Sequence, residues 1–291
     1  MSERPVNVSG IGSELAAPTI RTHGTTEQQA RFLPPIEAGT ESWCQLFSEP
    51  GAGSDLASLS TKALPTAGGW LVTGQKVWSS GAGSADLGLL LARTDTSVPK
   101  HEGISFFLID MHQPGVETRP LRQMNDRAEF DEVFLTDAFV GHDRLVGALG
   151  EGWKEAQTTL AHERRSIGSR RAAPKSDAPA YMLSTRRMIE LARSRGRIGD
   201  PLVRDALAAY RVQTSARPTG IASAGKLAVS NIARSSRDLS LRLLGAEGML
   251  AGPEVDVALS SFAAGIGGGT DQIQRNVLAE RVLGLPKEPH Q

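Results

Sequence analysis

Short runs of apolar or alternating residues, separated by turn clusters, occupy the chain from about residue 43 to residue 146. Alternation with a period of two, interrupted by Gly- and Pro-containing turns such as Gln113-Pro114-Gly115, is typical of β-strands. No helical pattern lies between these runs, which favours an antiparallel barrel or sandwich over βαβ units. Strands are predicted at residues 43–47, 70–77, 87–92, 104–109 and 130–135.

The pattern changes to a helical period after Gly150, where Trp153, Ala156 and Leu160 recur on one helix face. The predicted fold class is therefore α+β, with a central antiparallel β-barrel or sandwich domain followed by a C-terminal helical bundle. We expect a β domain over residues 41–149 and a bundle over 150–291. Further helices are predicted at 181–195, 201–211, 222–244 and 271–282, a linker at 173–179 and a break at 218–220.

Composition and charge narrow the class of protein. The 291 residues are 40% hydrophobic, and 32 basic side chains balance 32 acidic ones, so we expect a substantial core and no nucleic-acid partner. The single Cys44 and an N-terminus without the apolar core of a signal peptide predict a cytoplasmic location. No apolar run approaches the roughly 20 residues of a membrane span. The six histidines lack metal-ligand spacing, so no metal is expected.

The first chemical motif is the nonamer Phe47-Ser48-Glu49-Pro50-Gly51-Ala52-Gly53-Ser54-Asp55, where a strand ends and a loop begins. Glycines there let the backbone approach a ligand, although Pro-Gly and Gly-Ser alone are also ordinary turn dipeptides. The whole nonamer resembles the signature of the acyl-CoA dehydrogenase family. That resemblance implies flavin contacts from Gln45, Phe47, Ser48, Gly53 and Ser54, with Ser54 also contacting the substrate.

Three further segments carry the same resemblance. In Gly74-Gln75-Lys76-Val77-Trp78-Ser79-Ser80-Gly81 it implies that Trp78 covers the flavin ring and Ser80 binds its edge; a lone strand Trp is otherwise a core or edge aromatic. In the segment 269–276 it implies flavin contacts from Thr270 and Gln272, while Thr270 also suits a helix cap. Gly245 and Ala246 are implied to touch the FAD of a neighbouring subunit, although Gly after a helix is also a plain C-cap.

The implied reaction removes an α-proton, which requires a carboxylate base. Many family members carry it directly before the Gly-Thr pair, where this chain has Gly268. One branch places the base in a segment ending Glu-Arg on the helix that opens the bundle, and Glu163-Arg164 match it. The resemblance therefore implies Glu163 as the base, Arg164 as a substrate contact and the backbone N–H of Gly268 as a donor to the thioester carbonyl.

The residues around Glu163 give a separate argument. It lies three residues after Leu160 and four before Ile167, on the apolar stripe of its helix. Apolar surroundings disfavour the ionised carboxylate and so raise its pKa toward the range that a general base needs. The alternative is a glutamate at the stripe's edge, solvated or paired with Lys154, Arg164 or Arg170.

The resemblance implies an FAD-dependent dehydrogenase that converts an acyl-CoA to the trans-2-enoyl-CoA and passes electrons to an electron-transfer flavoprotein. It also implies a homo- or hetero-oligomer built through the C-terminal bundle. From the resemblance we expect residues 1–40 to be a remnant of the family's N-terminal helical domain, with most of that domain absent from this chain. Two alternatives stay open, a non-catalytic subunit of a heteromeric dehydrogenase and a flavin oxidase or monooxygenase on the same scaffold.

Overall fold

The computed structural model describes residues 9–169, 180–216 and 220–287, with the backbone alone for residue 9 and for 166–169. The predicted linker at 173–179 and residues 218–219 of the predicted break lie outside the described residues. The chain divides into two compact units, one that ends at Glu163 and one that begins at Arg164.

The first unit opens with short helices. α1 spans Ser9–Ile11, a π-helical turn spans Gly12–Ala16, α2 spans Ala17–His23 and α3 spans Thr26–Ala38. Thr25 and Gln28 form a capping box at the start of α3, and Gly39 ends it with φ 67°. The local sequence thus determines both ends of this helix.

The strands of the first unit are β1 Trp43–Leu46, β2 Lys62–Thr66, β3 Gly69–Ser80, β4 Leu87–Arg93, β5 Ile104–Asp110, β6 Val116–Leu121, β7 Phe130–Gly141 and β8 Leu145–Val146. They form one sheet in the order β6-β7-β3-β2-β4-β5-β8, with β1 also paired to β4. Most neighbours are antiparallel, but β1 and β2 both pair with β4 in parallel.

β4 shows where the core of this unit lies. Leu89 and Leu91 pack with residues of α2 and α3, whereas Leu90 and Ala92 belong to a second apolar cluster on the opposite face of the sheet. Successive side chains of a strand point to opposite faces, so a strand buried on both faces reads as a continuous apolar run. The run 87–92 is such a strand.

α4 spans Gly152–Ser169 and crosses the division between the units. The second unit contains α5 Thr185–Ser194, α6 Pro201–Ser215, α7 Ala222–Leu244, α8 Pro253–Ser260 and α9 Asp271–Val277, which a π-helical turn Leu278–Val282 continues. Its core forms around α7, whose Val229, Ile232, Leu239 and Leu243 are buried. The helical periodicity of 222–244 thus corresponds to a buried stripe.

The predicted fold class is confirmed, since a β domain precedes a helical part and short helices lie at the N-terminal side. Every predicted strand and helix overlaps an observed one, but β2, β6, β8 and α8 were not predicted. β2 and β6 are largely exposed, so they lack the apolar alternation that reveals a strand. The domain bounds stay predictions. Within the described residues no helix is long and apolar enough to cross a bilayer.

Candidate functional site

The loop that follows β1 folds back on itself at once. Glu49 and Ala52 exchange backbone hydrogen bonds of 2.9 and 3.1 Å, which close a tight turn. Beyond it Gly53 and Ser54 are exposed, and their amides donate to no acceptor in the described part of the chain. A Cβ at Gly51 or Gly53 would meet nothing within 4 Å and neither φ is positive, so the fold itself does not require glycine there. The loop therefore presents an open backbone edge that a ligand can approach.

The other predicted contacts of this segment lie on the strand side of the loop. Gln45 is half-buried in β1, and Phe47 is buried with its ring edge-on to Phe106 at 5.8 Å. The carbonyl of Ser48 accepts a 2.9 Å hydrogen bond from the amide of Val77 in β3. This bond brings the first and second motifs side by side.

A buried ion pair joins the same two motifs. Nζ of Lys76 donates to Oε1 of Glu49 at 2.8 Å and to the carbonyl of Phe47 at 3.1 Å. Glu49 also accepts from the amide and hydroxyl of Ser60, at 2.7 and 2.8 Å, and from the amide of Thr61 at 2.9 Å. Neither charged side chain is appreciably exposed. Every charge of the pair is thus matched by hydrogen bonds, as buried ions require.

The electrostatics of the pair favour its ionised form. Burial alone would raise the pKa of Glu49, but the Lys76 ammonium and the hydrogen bonds from Lys76, Thr61 and Ser60 outweigh it and lower the pKa to about 2. Burial lowers the pKa of Lys76 to about 8, against the opposing attraction of Glu49. Both groups therefore carry their charges at neutral pH.

The strand β3 bulges directly after Lys76. Its register with β7 shifts between Lys76 and Ser79, and Trp78 in the bulge has φ 60°, a left-handed conformation that is rare for a bulky residue. The Trp78 side chain is 55% exposed and meets Phe130 edge-on at 5.7 Å, while Ser80 beyond it is exposed. An exposed aromatic on strained backbone adds little to folding, which is typical of a ligand contact.

The candidate base Glu163 continues the buried side of α4. Glu155 and Thr159 on that side are buried, and the Thr159 hydroxyl lies 2.9 Å from that of Thr19 in α2. Glu163 follows Thr159 by one turn and is half-buried. Leu160 packs against the core as the sequence predicted. The side chain of Ile167, the other member of the predicted stripe, lies outside the described residues.

Arg164, the predicted substrate contact beside Glu163, is half-buried and is the first residue of the second unit. Glu163 and Arg164 each take part in polar interactions in this structure.

In the second unit the predicted residues around α9 share one turn. Gly268 and Gly269 have φ 67° and 84°, and the side-chain amide of Gln274 donates to the carbonyl of Gly268 at 3.0 Å. A Cβ at Gly269 would lie 2.5 Å from that amide, so glycine is needed there. Thr270 caps α9 through its hydroxyl, and Gln272 is exposed in the first turn.

The backbone N–H of Gly268 donates no hydrogen bond to the part of the chain that the structure describes. It is therefore available to an acceptor from a ligand, as its predicted role as a donor to a carbonyl requires.

A second buried ion cluster anchors this turn. Asp271 accepts from Nζ of Lys226 and from Nη1 of Arg234, each at 2.8 Å. Burial alone would raise the pKa of Asp271, but the hydrogen bonds from Lys226, Arg234 and Ser230 lower it to about 2. The start of α9 is thereby tied to α7.

Gly245 and Ala246 lie apart from this turn, at the end of α7. Gly245 has φ 59° and both residues are exposed, so the turn is a C-cap that also presents backbone to the surroundings. Within the described residues no cluster of His, Cys, Asp and Glu could hold a metal ion.

Comparison with known proteins shows the family to which this chain belongs. The family described as "Acyl-CoA dehydrogenase, middle domain" matches residues 44–138, and "Acyl-CoA dehydrogenase, C-terminal domain" matches residues 206–283. Acyl-CoA dehydrogenase IpdE1 of Mycobacterium tuberculosis is 39% identical over 99% of this chain and 78% of its own length. This chain belongs to the acyl-CoA dehydrogenase family. The resemblance inferred from the motifs is confirmed.

Other relatives define the extent of the similarity. Acyl-CoA dehydrogenase FadE34 of Mycobacterium tuberculosis is 42% identical over 98% of this chain, which spans 40% of that protein's length. The solved structure of the Tcur3481-Tcur3483 steroid ACAD matches 96% of this chain and 77% of its own with a TM-score of 0.82 and 27% identity. The ChsE4-ChsE5 complex from Mycobacterium tuberculosis matches 97% of this chain and 79% of its own with a TM-score of 0.77 and 26% identity.

The described residues fit the FAD on which this family typically depends. An open amide edge at Gly53 and Ser54 and an exposed indole at Trp78 lie on two segments that the Val77–Ser48 hydrogen bond joins. Such a pairing of backbone donors with an aromatic face suits a ring that carries polar edges.

The sequence motifs contain Glu49, Lys76 and Asp271 but do not indicate a role for any of the three. The sequence pattern does predict that Lys76 is buried, because it alternates with Trp70 and Val72 on the buried face of β3. A lysine at such a position needs a buried carboxylate as partner.

Proposed function

We propose that this chain carries an FAD-dependent acyl-CoA dehydrogenase site that converts a CoA thioester to its trans-2-enoyl form. The conformation and exposure of Trp78 are the main support for this proposal. Its bulky side chain is 55% exposed although its backbone has a positive φ, and it lies next to a loop with open backbone donors. This conformation is costly for folding, and a contact with a ligand explains why it is kept.

The first unit would bind FAD through the backbone and side chains of the two joined segments. The turn at α9 in the second unit is proposed as a flavin contact from the family resemblance. Gly245 and Ala246 would face the flavin of a neighbouring subunit. Bound FAD would supply the two-electron acceptor for the β-hydrogen. The residues proposed to hold it in the first unit are Gln45, Phe47, Ser48, Gly53, Ser54, Trp78 and Ser80, and in the second Thr270 and Gln272.

The chain's own residues would handle the proton. Glu163, half-buried on α4, would accept the α-proton of the thioester. The N–H of Gly268 would donate to the thioester carbonyl and stabilise the negative charge that develops there. Ser54 and Arg164 would contact the substrate.

One relative supports a class of substrate, and the family resemblance implies the electron acceptor. Because one structural relative is a steroid ACAD, we extend the proposal to CoA thioesters whose acyl group carries a bulky ring system. An electron-transfer flavoprotein would reoxidise the flavin. If oxygen rapidly reoxidises the flavin after the substrate has reduced it, the protein is a flavin oxidase or monooxygenase and not a dehydrogenase.

Glu163→Gln tests the role of the base. The variant is expected to keep the flavin absorption band and to lose at least about a thousandfold in turnover, the scale of general-base catalysis. Glu151→Gln, an exposed carboxylate just before α4, is the control and should keep full activity. If Glu163→Gln is as active as wild type, Glu163 is not the catalytic base.

A second candidate is a non-catalytic subunit that completes a heteromeric dehydrogenase. Two observations favour it. The relative ChsE4-ChsE5 is a complex of two chains, and the second unit exposes large apolar side chains, with Met249 88% and Leu250 64% exposed. Such side chains are typical of surfaces that meet another protein. Under this reading Glu163→Gln leaves the activity of the assembled complex unchanged.

A further inference from the structure

The buried pair Glu49–Lys76 is the feature that neither the proposed reaction nor the comparisons explain. Its atoms bind three backbone segments: the end of β1 through the carbonyl of Phe47, the start of β2 through Ser60 and Thr61, and β3 itself through Lys76. Buried ion pairs add little net stability over apolar residues of the same size. Stability alone therefore does not account for this one.

The position of the pair suggests what it does. Lys76 immediately precedes the register shift that places Trp78 at φ 60°. Glu49 is the first residue of the tight turn that leads to Gly53 and Ser54. Both candidate flavin contacts thus begin within a few residues of the same ion pair, one on each side.

We propose that Glu49 and Lys76 are positioning residues that set the Gly53–Ser54 loop and the Trp78 bulge in the arrangement that receives the flavin. This inference rests on the proposed binding of FAD. The Lys76 ammonium holds the Phe47 carbonyl in place, and the Glu49 carboxylate holds the amides of Ser60 and Thr61. An apolar pair would fill the same space but would direct none of these backbone groups.

Two single variants and their combination separate this role from stability. Lys76→Met and Glu49→Gln each leave a charged or polar partner buried without its counterpart, so each should lower the melting temperature. The double variant removes both charges and should recover most of that loss. Because it still lacks the bond to the Phe47 carbonyl, its dissociation constant for FAD should stay raised by about tenfold or more, the effect of one lost positioning contact.

Ile109→Ala is the matched control, since Ile109 is buried in the apolar cluster on the opposite side of the sheet from Phe47. It should lower the melting temperature with little change in FAD affinity, measured by titration of the flavin-free protein. The proposal is overturned if Ile109→Ala weakens FAD binding as much as Lys76→Met does. It is also overturned if the double variant regains wild-type affinity together with its stability.

A readout without flavin keeps this test separate from the proposed function. Acrylamide quenching of Trp78 fluorescence, isolated by subtraction of a Trp78→Phe protein, should change in Lys76→Met and in the double variant but not in Ile109→Ala. If wild type binds no FAD, the proposed function fails while this measurement still decides the positioning role. Unchanged Trp78 quenching in the double variant overturns it.

Discussion

The imidazole of His23 lies 3.4 Å from the carboxylate of Glu155, and both side chains are almost fully buried in the first unit. The other ring nitrogen of His23 lies 2.8 Å from the hydroxyl of Thr158. Together with the contact between Thr19 and Thr159, this makes a polar seam between α2 and α4. The helix that carries the proposed base is therefore held by the N-terminal helices through its first two turns.

Glu155→Gln is expected to stabilise the protein at neutral pH. Burial raises the pKa of Glu155, and its Oε2 has no hydrogen-bond partner within the described residues. A carboxyl whose pKa is raised by folding contributes stability below its unfolded pKa, and this is lost as pH rises through the folded value. At pH 8 the variant should gain about 1 kcal/mol in the free energy of unfolding. A loss of stability in urea denaturation would show that the charged carboxylate is needed.

Glu49→Gln is expected to show the opposite pH dependence. The folded pKa of Glu49 is about 2, below its ordinary 4.5, so the carboxylate contributes stability above about pH 4.5 and this is lost as pH falls toward 2. Wild type should therefore lose stability over this range more steeply than the variant. Urea denaturation at a series of pH values measures both slopes. Parallel curves would contradict the lowered pKa.

Asp271→Asn is expected to destabilise the second unit by about 3 kcal/mol, because it leaves the buried ammonium of Lys226 without its anion. Asp271→Asn combined with Lys226→Met should recover a large part of this loss. Arg187→Ala, which breaks a more exposed pair with Glu254, is the control and should cost less than about 1 kcal/mol. Equal losses in the two single variants would mean that burial of the pair has no consequence.

The fold was predictable from the sequence wherever burial imposes a period. The run 87–92 is apolar throughout because both faces of β4 are covered, and 222–244 has a helical period because one side of α7 is buried. The parallel pairings of β4 were not predictable in this way. A strand's pattern shows which faces are buried but not the direction of its neighbours.

The motifs predict which residues form the candidate site, but they do not predict the contacts that support those residues. The motifs identified Trp78, Thr270 and the loop after β1. They do not show that Trp78 has a positive φ in a bulge where the register of β3 with β7 shifts, or that Lys76 just before this bulge pairs with Glu49. Register and the meeting of Glu49 with Lys76 are tertiary properties that the local pattern does not determine.

Leu250→Glu is expected to weaken self-association or association with a partner subunit. Leu250 is 64% exposed in the turn after α7, so a charge there costs little in the folded monomer but much in a dry interface. Light scattering coupled to gel filtration measures the mass of the assembly. Leu202→Glu, at a 74% exposed position on α6, is the control. Unchanged mass in Leu250→Glu with dissociation in Leu202→Glu would move the interface to α6.

Trp78→Gly is expected to change stability and flavin binding in opposite directions. Glycine adopts φ 60° without strain and the indole is 55% exposed, so the variant should equal or exceed wild type in melting temperature. Loss of an aromatic contact with the flavin ring should raise the FAD dissociation constant by about tenfold. Asp126→Gly, at φ 65°, is a control for relief of backbone strain and should leave FAD affinity unchanged. A Trp78→Gly protein that loses stability but binds FAD like wild type would assign Trp78 to the fold, because its strained conformation would then be offset by packing and not by a ligand.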